Sequence, residues 1–543
     1  MNWKKPLSFI LAATMLAGCS APSSETGGDT TADGLSVVVQ FDADLNTMDH
    51  HIATDGNSFI MQSMCFSGLT SLDEAGQPQP ELATSWDVSD DGLTYTFHLA
   101  EDATWSDGTP VTANDFVYGW QRLVDPDTAS EYAFILDTMH VKNAAAVNAG
   151  EMDVSELGVK AVDDHTFEVQ LELPCEFLLG LMAFPSTFPL NQAFYEEHAD
   201  SYAQSPEDMI YCGPYTMTDW QQGNEYTFTK RDDYFNQDAE AAESVTFKFI
   251  QDTQSAMLAY QQGDIDVVKL QSEQVDQYKD TEGFTNRLTG YLWYLSVNFT
   301  RDTFQNDNLR AAIAYGIDRD TICESVLKDG SVSAEGIVPL ELATGPDGKD
   351  FRETAGQVVE YDPDKAAEYY AAAVEELGGD VTFDLLFEDS EASKAVAENI
   401  QSQLQSACPG LTVNLDSKPK KTRLDLMDTQ EYDVCLTRWG PDYADPQTYM
   451  DLFTTWNTSS NDGKYSSADY DTLIEAATTG KDAANPEARW QDMIDAEKIL
   501  VAEDHGVVPV YQNGGAMMIN PEIDGIMFHS AGVDDYRHVH AAA

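Results

Sequence analysis

Positive charge is what this 543-residue chain has least of. Lys plus Arg total 29 against 94 Asp plus Glu, for a formal net charge of −65. A field of that sign repels nucleic acid and anionic lipid and attracts cationic solutes. The acidic residues are dispersed rather than gathered in a tail, so the charge reads first as solvated surface. Cysteine is sparse too. Seven occur, none in C-x-x-C spacing, which argues against a zinc ribbon or a thioredoxin-type site. H-E-x-x-H, G-x-S-x-G and P-loop spacings are missing, so no nucleophile–base pair or phosphate cradle can be nominated. His50 and His51 are adjacent, poor geometry for one metal. His538 and His540, with His529 upstream, are a weak metal signal beside the plainer reading of surface and tail histidines. Hydrophobic residues make up 42% and aromatics 10%, which is ample for ordinary packed cores.

The N-terminus carries the most specific signal. Lys4 and Lys5 precede the apolar run Leu7–Met15, and Leu16-Ala17-Gly18-Cys19 follows. The run is too short for a hydrocarbon layer of about 30 Å, and the order is that of a secretory signal with a small-residue cleavage site. It resembles the bacterial lipobox, which implies removal of residues 1–18 and a lipid on Cys19; an ordinary signal peptide with a chance cysteine is the alternative. One acyl chain binds a membrane only marginally, so a multi-chain lipid at Cys19 is the stable anchor. Residues 19–34 then form a tether, since Ser20–Gly34 contains no large apolar residue and cannot offset its ordering entropy. Cleavage leaves 525 residues, enough for two or three domains. The six other cysteines, Cys65, Cys175, Cys212, Cys323, Cys408 and Cys435, allow fifteen pairings and the sequence selects none; buried free thiols are equally compatible.

Two segments alternate strictly. Leu93, Tyr95, Phe97 and Leu99 share one face, as do Phe167, Val169, Leu171 and Leu173, which predicts half-buried strands. Helical spacing dominates later: Asp307 is placed to cap a helix carrying Leu309, Ile313 and Ile317, and Ala366–Leu377 and Ser393–Ala407 are rich in alanine. Thr382–Phe387 and Leu411–Leu415 read as strands between helices, an α/β pattern.

Six further segments occur in a telling order: 105–126 (WSDGTPVTANDFVYGWQRLVDP), 157–171 (LGVKAVDDHTFEVQL), 213–220 (GPYTMTDW), 306–322 (NDNLRAAIAYGIDRDTI), 438–449 (RWGPDYADPQTY) and 507–511 (VVPVY). Over nearly the whole mature chain they resemble the oligopeptide-binding proteins of ABC importers, within extracytoplasmic solute-binding protein family 5. The resemblance implies a two-lobed α/β fold of the periplasmic-binding-protein type (class II, cluster C), with a hinge, a cleft and an inserted β-rich domain. It places a discontinuous lobe I at 35–78, 210–292 and 511–543, the β-rich domain II at 79–209 and an α/β lobe III at 293–510. It further implies a monomeric receptor that captures oligopeptides and hands them to a permease and ATPase complex, without catalysis, cofactor, metal or nucleic acid. Relatives that carry dipeptides, nickel, haem or sugars, and a secreted hydrolase, are the alternatives.

The same resemblance assigns residues. Asp442 matches the aspartate that pairs with a ligand's α-amine. Gly440 and the strand holding Tyr294–Asn298 are expected to offer main-chain hydrogen bonds by strand addition. Trp439 and Tyr294 match aromatic cleft positions, with core packing as the competing reading. Lys420 falls where relatives have a pocket tryptophan and could meet a carboxylate or an acidic side chain, with a solvated loop cluster as the equal alternative. Met427 and Leu436 stand where some relatives place arginines for the ligand carboxylate, and Tyr291 and Gly440 stand where they place a disulfide. The lipid assignment has a direct check. Cys19→Ala should leave the protein in the soluble fraction after export, whereas the native chain should sediment with membranes and partition into detergent. A variant that sediments like the native chain would refute lipidation at Cys19.

Overall fold

The computed structural model describes residues 34–543 except 42–43, 239–240, 272 and 459. The expected signal at 1–18, Cys19 and the expected tether up to residue 33 lie outside the described residues.

The alternating segments form neighbouring strands of a four-stranded antiparallel sheet, in the order Ala83–Val88, Thr94–Leu99, Thr166–Gln170, Val159–Asp163. Tyr95, Phe97, Leu99, Phe167 and Val169 are buried on one face, as a period of two requires. Leu93 and Leu173 lie just beyond the strands and are only half-buried. The helix Ala113–Val124 covers that face. Its Phe116 and Trp120 rings stand 5.5 and 5.4 Å from Phe167. Thr112 and Asp115 close its N-terminus, the Thr112 N–H donating to Asp115 Oδ2 at 2.7 Å.

Two larger sheets draw on distant parts of the chain. Seven strands run in the order Phe284–Thr285, Met517–Ile519, Val267–Lys269, Ser36–Phe41, Ser244–Phe249, Glu225–Lys230, Tyr215–Gln221. Six run in the order Val332–Ser333, Val507–Gly514, Leu288–Val297, Val434–Trp439, Thr382–Glu388, Thr412–Lys418. Strand Leu288–Val297 shows why this second sheet needs helices on both faces. Trp293, Leu295 and Val297 bury against Leu309, Tyr370 and Val396 from helices Asp307–Tyr315, Pro363–Leu377 and Glu391–Ala407. Leu292 and Tyr294 bury on the opposite face with Tyr470 and Met493, from helices Ala468–Thr478 and Pro486–Glu497.

The chain passes between the two large sheets twice, at 286–287 and at 515–516, and the passages touch. The Gly515 N–H donates to the Arg287 carbonyl at 2.7 Å. Two adjacent short crossings are what a hinge between lobes requires, and the architecture is a two-lobed α/β fold with an additional β-rich part.

One cap differs from expectation. Asn306, not Asp307, closes the helix Asp307–Tyr315, its side chain accepting the Leu309 N–H at 2.9 Å. Asp307 is already the first helical residue and pairs with Arg310. The helix ends before Gly316, so Ile317 packs from the following turn. Cys65, Cys175, Cys212, Cys323, Cys408 and Cys435 are all buried free thiols.

Candidate functional site

Strand Val434–Trp439 ends at Gly440-Pro441, where proline withdraws the donor that a longer ladder would need. The following loop is held from several sides. Arg489 grips Asp445 with two buried hydrogen bonds of 2.7 and 2.8 Å. The Asp442 N–H donates to Thr448 Oγ1 at 3.2 Å, and the Tyr449 hydroxyl reaches the carbonyls of Gly290 and, at 3.2 Å, Trp439. Two glycines allow the close approach. A Cβ on Gly290 would fall 2.5 Å from Pro441 Cγ, and one on Gly440 would fall 2.3 Å from Tyr291 Cε1. The two positions that the resemblance gives to a disulfide therefore hold a tyrosine ring packed over a glycine.

This frame presents Asp442 with little to answer its charge. The residue is half-buried and its carboxyl end is withdrawn from water. Among the described residues the carboxyl accepts one hydrogen bond, from the Tyr132 hydroxyl at 3.1 Å. Desolvation outweighs that bond and pushes the carboxyl up to about 7. Tyr132 belongs to the β-rich part of the chain, and so does Phe177, whose ring stacks on Tyr443 at 4.3 Å. Segments more than 250 residues apart in sequence thus meet across Asp442.

The other expected residues separate. Trp439 is half-buried and backs onto the core, and among the described residues its buried indole N–H has no partner. Gly440 sits under the Tyr291 ring, which is itself 41% exposed. Tyr294 is 7% exposed and packs in the core against Phe453 at 5.9 Å, so its side chain does not line an open cleft. Lys420 opens the helix Lys420–Asp428 and is exposed. Met427 and Leu436 are core residues at 2% and 0% exposure.

Strand addition at Tyr294–Asn298 is corrected. Leu292–Val297 is paired with Val434–Trp439 on one side, and Leu292–Ser296 with Val507–Gln512 on the other, so neither edge there is free. The open edge belongs to the neighbouring strand. Among the described residues Thr382–Glu388 pairs with Val434 and Cys435 only, and Leu436–Trp439 has a strand partner on one side alone.

The histidines do not converge. His538 Nδ1 lies 3.5 Å from Asp238, His540 Nδ1 lies 2.9 Å from the His538 carbonyl, and His529 bridges the carbonyls of Val533 and Asp73. Among the described residues no group of three or more potential ligands could hold a metal. His50 and His51 are buried in the core, and burial pushes His50 down to about 4. Tyr132, Tyr291 and the Asp445–Arg489 clamp carry no sequence spacing that marks them as site residues.

Comparison with known proteins identifies the scaffold. Residues 77–461 match the bacterial extracellular solute-binding proteins, family 5. A dipeptide-binding protein of Lactococcus lactis subsp. cremoris is 32% identical over 523 residues, covering 93% of this chain and 94% of its own. The substrate-binding domain of an oligopeptide ABC transporter from Bacillus anthracis superposes with a TM-score of 0.83 at 36% identity, over 94% of this chain and 99% of that one. OppA of Listeria monocytogenes, solved bound to peptide, superposes with a TM-score of 0.82 at 33% identity, over 94% of this chain and all of that one. The chain belongs to the bacterial extracellular solute-binding proteins of family 5.

The Asp442 environment makes a signed prediction for stability. Its folded carboxyl titrates near 7, above the ordinary value of 3.8, so ionising it costs the folded state. The cost is absent below about pH 4, grows between pH 4 and 7 and is complete above 7. Asp442→Asn should therefore stabilise the ligand-free protein at pH 8 by about 1–3 kcal/mol, less than the full conversion of the shift because the residue keeps some contact with water. At pH 4 it should change nothing. Urea unfolding at the two pH values checks this, and an equal effect at both would contradict it.

Proposed function

We propose that this chain is a lipid-anchored extracytoplasmic receptor that captures oligopeptides between its lobes and delivers them to an ABC transporter permease and ATPase complex. In this reading Cys19 carries the lipid, 19–34 is the tether, and the receptor acts as a monomer without catalysing a reaction. Lobe I comprises 35–78, 210–292 and 511–543, domain II comprises 79–209, and lobe III comprises 293–510.

The observation that carries the proposal is the Asp442 carboxyl, withdrawn from water with one hydroxyl as its partner. A buried carboxylate lacking a cation is costly, and that cost becomes selectivity for a ligand that brings one. A peptide's α-amine is such a cation. The rest of a peptide needs main-chain partners, and the free edge Leu436–Trp439 runs directly into the Asp442 loop. Gly440 and Trp439 stand at that junction, so they are the residues nearest a ligand's first side chains. The names of the relatives, a dipeptide-binding protein and an oligopeptide transporter's binding domain, point to the same ligand class. Closure then follows as a population shift, because a ligand touching both lobes favours the closed form only by its contacts there.

Isothermal titration of ligand-stripped protein with a tetrapeptide and its N-acetylated twin tests the reading. The free amine should bind at least about 30-fold more tightly than the twin, and Asp442→Ala should remove most of that difference. Equal binding of the twins would retire the amine anchor. Binding of neither would redirect the search to metals, haem and sugars.

A further inference from the structure

Five cations lie between residues 418 and 438, a dense cluster in a chain with 29 in all. Three are answered. Lys418 pairs with Asp416, Lys421 pairs with Asp425 at 3.1 Å, and Arg423 lies 3.9 Å from Glu388 while donating to Thr437 Oγ1 at 2.6 Å. Lys420 and Arg438 are not: among the described residues neither side chain makes an ion pair or a hydrogen bond. Lys142, Lys248 and Lys328 also make no ion pair among the described residues; Lys420 and Arg438 differ in lying beside each other, so their two charges act at one place.

Arg438 is nevertheless held in place. Its guanidinium carbon stands 5.2 Å from the centre of the Tyr291 ring and 5.2 Å from that of Trp293. Trp293 is itself stacked on Tyr511 at 5.6 Å. Contact with two ring faces orients a guanidinium without using its N–H donors, so the fork stays available to a carboxylate. Lys420 is close enough to sense it. Although Lys420 reaches solvent, its ammonium is pushed below the ordinary lysine value, first by partial loss of water and then by Arg438 and Arg423, against Glu388 and Asp55. Two cations that raise each other's energy are relieved together by one anion. The location ties the pair to the cleft. Arg438 lies on the free-edged stretch Leu436–Trp439, four residues before Asp442, and its partner Tyr291 is the ring packed over Gly440.

We infer that Arg438 and Lys420 form an anion subsite of the cleft that takes a carboxylate of the ligand, supplied by an acidic side chain or by the C-terminus of a short peptide. The inference rests on the amine-anchored reading of Asp442 and adds a second charge requirement to it. An Asp442-anchored peptide with a carboxylate in reach of Arg438 satisfies both unanswered charges of the site, whereas a neutral or basic peptide satisfies one.

Titration calorimetry separates the two sources and the two claims. One series compares tetraalanine analogues carrying Glu or Gln at each position in turn. The other compares di-, tri- and tetraalanine with free or amidated C-termini. The native protein should prefer the carboxylate member of at least one pair by about tenfold, the Glu series reporting a side chain and the amide series a terminus. Arg438→Gln should bring that ratio close to one, and Lys420→Gln should reduce it severalfold. Lys420 is exposed, so the second variant keeps the test decisive if the first fails to fold. Tight binding with no carboxylate preference in either series, or a preference unchanged in both variants, overturns the subsite and leaves the amine anchor standing. Failure of every peptide to bind the native protein overturns the anchor and the subsite together.

Discussion

Where the β-rich part of the chain meets the six-stranded sheet, a carboxylate has been taken out of water and given one hydroxyl in return. Nearly everything around Asp442 serves to hold that imbalance. The Arg489–Asp445 clamp, the Tyr449 hydroxyl and the Thr448 acceptor fix the loop, and the bare α-carbons of Gly290 and Gly440 let the loop and Tyr291 approach closely. An unfixed loop would turn the carboxyl toward solvent and the charge would cost nothing. A fixed one stores a penalty that an arriving cation removes, which is how a site can demand an amine while remaining indifferent to the side chains that follow.

The larger architecture makes the penalty conditional. The chain crosses between its two large sheets where Arg287 and Gly515 share a hydrogen bond. In the proposed reading, opening the cleft would rehydrate Asp442 and part it from Tyr132, and closing it without a ligand would strand the charge. A cation bound there tilts the balance toward closure by the difference between those two environments. The −65 surface adds a background that favours cationic solutes, against which the unanswered pair Arg438 and Lys420 is a local reversal of sign.

Much of this was legible in the residues. The strands through Phe97 and Phe167 follow from a period of two, and the helices Pro363–Leu377 and Glu391–Ala407 follow from composition and spacing, because local physics decides both. Asp442 is different. By itself it reads as an aspartate in a turn, and only its resemblance to a family motif singles it out. Tyr132 was invisible, since its meeting with Asp442 depends on two segments 310 residues apart. Of the two segments expected to offer strand addition, Gly440 follows the free edge while Tyr294–Asn298 lies one strand away from it, because a sequence does not say how many neighbours a strand has. Asn306 took the cap from Asp307 by one residue, a difference set by which side chain reaches the Leu309 N–H. Tyr294 fell to the core because its register puts it on the face packed by Phe453.

The most direct test of the account is the number of protons exchanged when a free-amine tetrapeptide binds at pH 7, obtained by calorimetry in buffers of different ionisation enthalpy. With its carboxyl titrating near 7 in the empty site, Asp442 is about half protonated there. Pairing with an amine should expel that proton, so the native protein should release about half a proton more per binding event than Asp442→Asn does. Equal proton exchange by the two proteins would mean that the carboxyl is already ionised and compensated, and the central claim would fall.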